Sequence, residues 1–201
     1  DLDADSSVID DQLAHDPVLV VLLKARPGLR VPGAWDAFEI SVRAILGQQV
    51  SVAAARTFAT RLLQAHGQPI EKGTLTHLFP MPENLVEADL SSIGLTSRRA
   101  QTIRQLAQAF AQGRLDLSAA NGLDEAEKML CAVPGIGPWT AQYIAMRALS
   151  DPDAFPVGDL ALLRAINRHG ENLTAKSLAA RAEDWRPWRA YAALHLWNSE
   201  T

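Results

Sequence analysis

Capped, helix-length segments follow one another along most of this chain, separated by turns rich in glycine and proline. Asp36 is placed to cap Ala37–Leu46, Ser51 to cap Val52–His66 before Gly67, and Ser97 to cap Arg98–Gln112 before Gly113. Further helices are expected over Glu83–Ala88, Asp124–Ala132, Pro138–Leu149, Asp159–Arg168, Thr174–Ala182 and Arg186–Trp197. The segment 26–33 carries Pro27, Gly28, Pro32 and Gly33 and reads as a loop; 68–82 carries Pro69, Gly73, Pro80 and Pro82 and reads as a connection. No run alternates apolar and polar residues as a half-buried strand does. The expected fold is therefore all-α. With 201 residues there is room for two packed helical lobes.

Charge divides the chain unevenly. Residues 1–16 hold six acids (Asp1, Asp3, Asp5, Asp10, Asp11 and Asp16) and no Lys or Arg. All 19 bases and 17 of the 23 acids lie in 17–201, so the body carries +2 although the whole chain carries −4. The acidic stretch 1–16 is expected to be a mobile leader, and 17–201 the folded body. A weakly basic body permits a local phosphate-binding face. The single cysteine, Cys131, excludes an internal disulfide, a cysteine-based zinc site and a four-cysteine iron–sulfur cluster. His15, His66, His77, His169 and His195 show no metal-ligand spacing. No 18-residue apolar run and no basic-then-apolar leader occurs, so neither a membrane span nor a secretory signal is expected; as separate expectations, the protein is cytoplasmic and a monomer.

The sharpest local signal is Leu130-Cys131-Ala132-Val133-Pro134-Gly135-Ile136-Gly137-Pro138-Trp139. An apolar helix ends, a Pro-Gly-x-Gly turn follows, and a new helix starts with proline in its first turn. Gly135 and Gly137 permit positive φ and close approach of another backbone. The second helix begins with free N–H groups at the positive end of its dipole, an anion site that needs no lysine. Taken alone, the same residues equally describe a tight turn between two packed helices.

The turn and Asp159, 22 residues after Gly137 in Phe155-Pro156-Val157-Gly158-Asp159, together resemble the helix–hairpin–helix DNA glycosylase superfamily. Three further stretches resemble one branch of it, the DNA-3-methyladenine glycosylase II family. They are Ala44-Ile45-Leu46-Gly47-Gln48-Gln49-Val50-Ser51, Gly137-Pro138-Trp139-Thr140-Ala141-Gln142-Tyr143, and Trp185-Arg186-Pro187-Trp188-Arg189-Ala190-Tyr191-Ala192. The resemblance runs from about Pro32 to Trp197. Only about 30 residues precede it, so the N-terminal β-rich domain common in the family is not expected here; a short form, a fragment and the end of a longer chain all stay open.

The resemblance implies a monofunctional hydrolase that removes alkylated purines, such as 3-methyladenine, from double-stranded DNA by base flipping. Asp159 would be its catalytic carboxylate, stabilising positive charge on the sugar and orienting water. An Asp at this place also caps the following helix, and the two roles are compatible. Strand-cutting relatives carry a lysine after the hairpin; Trp139 stands at that position, and no lysine lies between Lys128 and Lys176. Trp139 and Tyr143 share one helix face, and with Trp197 they would line the pocket of the extruded, cationic base. Trp35, Trp185 and Trp188 read instead as packing residues.

By the same resemblance Gln49, with Gln48 beside it, would enter the gap left by the flipped nucleotide, while Gly135, Ile136 and Gly137 would hold a phosphate. The carbonyls of Cys131, Val133 and Ile136 would hold a structural sodium or potassium ion, with no cofactor for catalysis. The Cys131 sulfur would be a buried apolar group and not a ligand. The alternative is a non-catalytic helix–hairpin–helix module that binds DNA without turnover.

Overall fold

The computed structural model describes residues 3–199. Along them run α1 (Ser6–Leu13), α2 (Leu19–Ala25), α3 (Ala37–Gly47), α4 (Val52–His66), β1 (Gln68–Lys72), β2 (Leu75–Leu78), α5 (Pro82–Leu85) and α6 (Ser97–Ala111). They continue with α7 (Leu123–Cys131), α8 (Pro138–Ala148), α9 (Leu160–Arg168), α10 (Ala175–Ala182) and α11 (Arg189–Ser199). Short 3₁₀ turns lie at Leu117–Ala119 and Glu183–Trp185. The fold is mainly helical, as expected. It divides into two units: residues up to Ala34 joined by those from Ala145 onward, and Trp35–Ile144.

Side-chain caps set most helix starts. The Asp36 carboxylate accepts the Glu39 amide at 2.6 Å, and Ser51 Oγ accepts the Ala54 amide at 3.2 Å. α6 starts one residue earlier than expected, because Thr96 Oγ1 rather than Ser97 accepts the Arg99 amide at 3.3 Å. α11 starts at Arg189 instead of Arg186. Pro187 biases the residue before it away from helical dihedrals, which delays the start.

Three expectations need correction. The first is the mobile leader. Asp5 caps α1 through the Ser7 amide at 2.9 Å, and Ile9 and Leu13 are buried. Asp16 is 8% exposed and accepts two hydrogen bonds from Arg181, at 2.6 and 2.8 Å, and one from Trp185 Nε1 at 2.9 Å. Acids that read as a solvated run act as a cap and a buried anchor. The second is the 68–82 connection. β1 and β2 pair antiparallel, Gln68 opposite Leu78 and Lys72 opposite Leu75, around Gly73 at φ +68°. Most of this ribbon is solvent-exposed, so no buried face imposed an alternating pattern. The third is Trp35, expected to pack but fully exposed.

The unit containing both chain ends is centred on α11, whose Ala190, Ala192, Ala193 and Leu196 are buried. α2 packs on it through its buried Leu19, Leu22 and Leu23, and α9 brings Leu162, Ala165 and Ile166. Trp185 is buried edge-on to Phe155, with ring centroids 5.9 Å apart. In the central unit, α3 packs against α4 and α6. Val42, Ile45, Ile103 and Leu106 are buried there, and the Phe38 ring meets Phe110 at 5.3 Å and Phe79 at 6.3 Å. Among the described residues no helix is long and apolar enough to cross a membrane.

Candidate functional site

Within the central unit, α7 ends at Cys131 and α8 begins at Pro138, with a tight turn between them. The turn is pinned by the Ile136 amide donating to the Val133 carbonyl at 3.0 Å. Val133 and Ile136 are buried, while Pro134, Gly135, Gly137 and Pro138 are exposed. Two apolar pegs thus hold the turn down and leave its tip in solvent.

Gly135 is required twice over. Its φ is +94°, and a Cβ there would lie 2.0 Å from Thr102 Oγ1 and 3.0 Å from two Thr102 carbons. Gly137 meets neither condition, so the freedom expected of both glycines is used at one. The Trp139 and Thr140 amides fall in the first turn of α8, where a helix has no acceptors of its own to offer. Together with the exposed tip they give the turn the character of an anion site.

The α3–α4 loop carries the two glutamines, and they differ. Gln49 is exposed and held at φ +53°, the left-handed region that few non-glycine residues adopt. Gln48 is half-buried. Its Nε2 donates to Thr140 Oγ1 at 2.9 Å and to the Gly135 carbonyl at 3.2 Å. A primary amide has two N–H donors, and both are spent inside the protein. The Gln48 Oε1 acceptor takes part in neither bond. Its own carbonyl accepts from Arg99 Nη2 at 2.6 Å.

Trp139 and Tyr143 lie one helical turn apart on α8 with rings stacked, 5.7 Å between centroids and 7° between planes. Both are half-buried, so part of this aromatic pair faces solvent. Cys131 is half-buried rather than buried; burial and the Glu127 charge raise its thiol pKa, which favours the protonated form.

Asp159 and Trp197 come together in the other unit. Asp159 is the N-cap of α9, and its Oδ1 accepts from the Ala161 amide at 2.8 Å and the Leu162 amide at 2.9 Å. The Trp197 indole Nε1 donates to the same oxygen at 3.2 Å. Three donors therefore fix the orientation of this half-buried carboxylate. The expected capping role is present. Trp197 orients the carboxylate, a contact that its sequence did not suggest. Gly158, at φ +83°, turns the chain into the cap, with Val157 and Leu160 exposed on either side.

Sequence reading missed Arg99, Thr102 and Thr140, because their partners lie 33 to 92 positions away and share no local pattern with them. Among the described residues no cluster of three or more His, Cys, Asp or Glu side chains is placed to hold a metal.

Comparison with known proteins places these features in context. Residues 42–190 match the family described as HhH-GPD superfamily base excision DNA repair protein, and residues 1–36 match the AlkA N-terminal domain. The described part of that second stretch holds α1 and α2 and no strand. The chain is 44% identical over 201 residues to the probable bifunctional transcriptional activator/DNA repair enzyme AlkA of Mycobacterium tuberculosis, covering 99% of this chain and 40% of that protein. It is 40% identical over 179 residues to DNA-3-methyladenine glycosylase 2 of Escherichia coli, covering 88% of this chain and 62% of that one. The chain thus spans about two-fifths to three-fifths of the length of these relatives. The 3-methyladenine DNA-glycosylase from Archaeoglobus fulgidus superposes with a TM-score of 0.84 at 26% identity, over 98% of this chain and 69% of that chain.

Proposed function

Because this chain belongs to the HhH-GPD superfamily of base excision DNA repair proteins, we propose that it is a monofunctional DNA glycosylase that removes alkylated purines from duplex DNA, acting as a monomer. The observation that carries this reading is the Asp159 carboxylate, one oxygen of which is held by two main-chain amides and an indole N–H.

In the proposed reaction the bond between C1′ and the base nitrogen breaks, and its electron pair leaves with the base. Alkylation at N3 or N7 makes the purine cationic, so the departing pair neutralises it and little protonation of the leaving group is needed. Positive charge grows on the sugar as the bond lengthens. A fixed carboxylate beside it stabilises that charge without having to reorganise. Water bonds to C1′ from the opposite side and passes its proton to Asp159 or to solvent. The stacked rings of Trp139 and Tyr143 suit a flat cation through stacking and cation–π attraction, on the order of 0.5–2 kcal/mol per ring. The exposed hairpin amides would receive a phosphate, and Gln49 would enter the space left by the extruded nucleotide.

The carbonyls of Cys131, Val133 and Ile136 form an uncharged, all-oxygen donor set, which suits a sodium or potassium ion. Val133 oxygen accepts one amide and keeps a second lone pair. Such an ion would brace the turn and take no part in bond breaking.

The test is single-turnover base release from duplexes that each carry one alkylated purine, with wild type beside Asp159→Asn. An asparagine oxygen still accepts the capping amides but brings no charge, so release should fall at least about 100-fold with the melting temperature nearly unchanged. Retained binding with no release by the wild type would favour the DNA-binding module. No lysine lies between Lys128 and Lys176, so borohydride should trap no enzyme–DNA adduct. A trapped adduct would exclude the monofunctional reading.

A further inference from the structure

Arg99 lies at the start of α6 and belongs to no motif that points to the site, yet it joins two parts of it. Its Nη2 donates to the Gln48 carbonyl at 2.6 Å, and its guanidinium lies over the Phe58 ring, 5.9 Å from the centroid. Gln48 in turn donates through Nε2 to the Gly135 carbonyl and to Thr140 Oγ1. One turn further along α6, Thr102 packs so closely on Gly135 that no side chain fits there. The first turns of α6 therefore hold the α3–α4 loop through Arg99 and the α7–α8 turn through Thr102. Gln48 ties the loop and the turn directly to each other. The residue after Gln48 is the exposed Gln49, in its left-handed conformation.

We infer that Arg99 and Gln48 are positioning residues that lock the Gln49 loop to the phosphate-binding turn, so that the two engage the duplex as one preset unit. The inference rests on the glycosylase reading for its consequence and on the hydrogen bonds for its existence. A left-handed glutamine is strained by about 1 kcal/mol or more and persists only where its surroundings fix it. The hydrogen bond to the carbonyl just before Gln49 supplies that constraint. A charged guanidinium makes this bond stronger than a neutral donor would. Without it, the peptide linking Gln48 to Gln49 is free to rotate, and the tip no longer presents its side chain at a fixed distance from the bound phosphate. Arg99 is half-buried and touches no reacting atom, so its effect belongs to the duplex-opening step and not to bond cleavage.

The experiment uses the full chain with Arg99→Met, Gln48→Ala and the double variant. Methionine keeps an unbranched aliphatic side chain and removes the guanidinium, and with it both the donor to Gln48 and the cation over Phe58. Single-turnover release is measured from one alkylated purine in a duplex and from the same lesion in single-stranded DNA, where no gap has to be filled. Each single variant should lose about tenfold on the duplex and little on the single strand, and the double variant should be no worse than either. Equal losses on both substrates, or losses that multiply in the double variant, would overturn the inference.

Amide hydrogen exchange on the protein alone provides a reading independent of catalysis. In Arg99→Met the amides of 48–51 and of Val133, Gly135, Ile136 and Gly137 should gain exchange together while those of α9 and α11 do not. Loosening of 48–51 alone would overturn the coupling. Should the wild type release no base at all, the glycosylase reading fails, and the exchange result still decides whether the lock exists.

Discussion

Asp16 shows how one side chain can commit a whole segment. Burial by itself would push its carboxyl pKa up. The Arg181 guanidinium, the Leu19 and Val18 amides and the Trp185 indole outweigh that and hold it below the ordinary value. A depressed carboxyl pKa adds stability that is complete above the unfolded value, near 4, and is lost as pH falls through the folded one. His195 works at higher pH. It is 3% exposed, its Nδ1 has no hydrogen-bond partner, and burial lowers its pKa; nearby Asp10 opposes the shift and Arg26 adds to it. The unfolded chain therefore takes up the histidine proton first. Stability should be full above about pH 6.5 and decline as pH drops below that, until the folded-state pKa is reached. Thermal melts between pH 3 and 8 should show both declines. Asp16→Asn should remove the more acidic one and lower stability at neutral pH by about 2 kcal/mol, since the half-buried Arg181 keeps only Glu171 as a charged partner. His195→Met should flatten the upper one. A melting temperature independent of pH from 5 to 7 in the wild type would refute the histidine assignment.

At the scale of elements, the α7–α8 turn depends on α6 behind it. Gly135→Ala would meet two obstacles at once, a positive φ that alanine resists and the Thr102 hydroxyl where the new Cβ must go. The expected cost is about 2 kcal/mol or more, with duplex binding weakened further than the melting temperature alone accounts for. Gly137→Ala meets neither obstacle and should leave stability within about 1 kcal/mol of wild type. Paired melts and binding curves for the two variants check this directly. If the two glycines proved equivalent, the picture of a turn seated on Thr102 would be wrong.

At the scale of the molecule, one unit is assembled from both ends of the chain, and the other is continuous from Trp35 to Ile144. α11 has its apolar face covered by α2, which lies more than 160 residues before it. A fragment holding 145–201 alone would expose the buried face of α11 and lack Asp16 as partner for Arg181. It should show little cooperative melting by circular dichroism, and mixing it with a fragment of 3–34 should restore the transition. The fragment 35–144 contains the buried residues of its own core and should melt cooperatively by itself. A cooperative 145–201 fragment would show that the leader contributes little.

The sequence by itself determined what is local. Helix caps at Asp36, Ser51, Asp159 and Thr174, the breaks at proline and glycine, and the α7–α8 turn all depend on residues within a few positions of one another. Their chemistry is the same wherever the chain goes. The family motifs were legible for the same reason, being short runs of fixed spacing. Tertiary structure alone decided what depends on distant partners. Six acids with no bases beside them read as a solvated tail until Arg181 and Trp185 arrive from 165 and 169 residues away. Gln48 reads as a free polar tip until the Gly135 carbonyl and the Thr140 hydroxyl take both its donors, and Trp197 as an aromatic wall until its N–H meets Asp159. The exposed β1–β2 ribbon left no periodic trace because burial, which imposes periodicity, does not act on it.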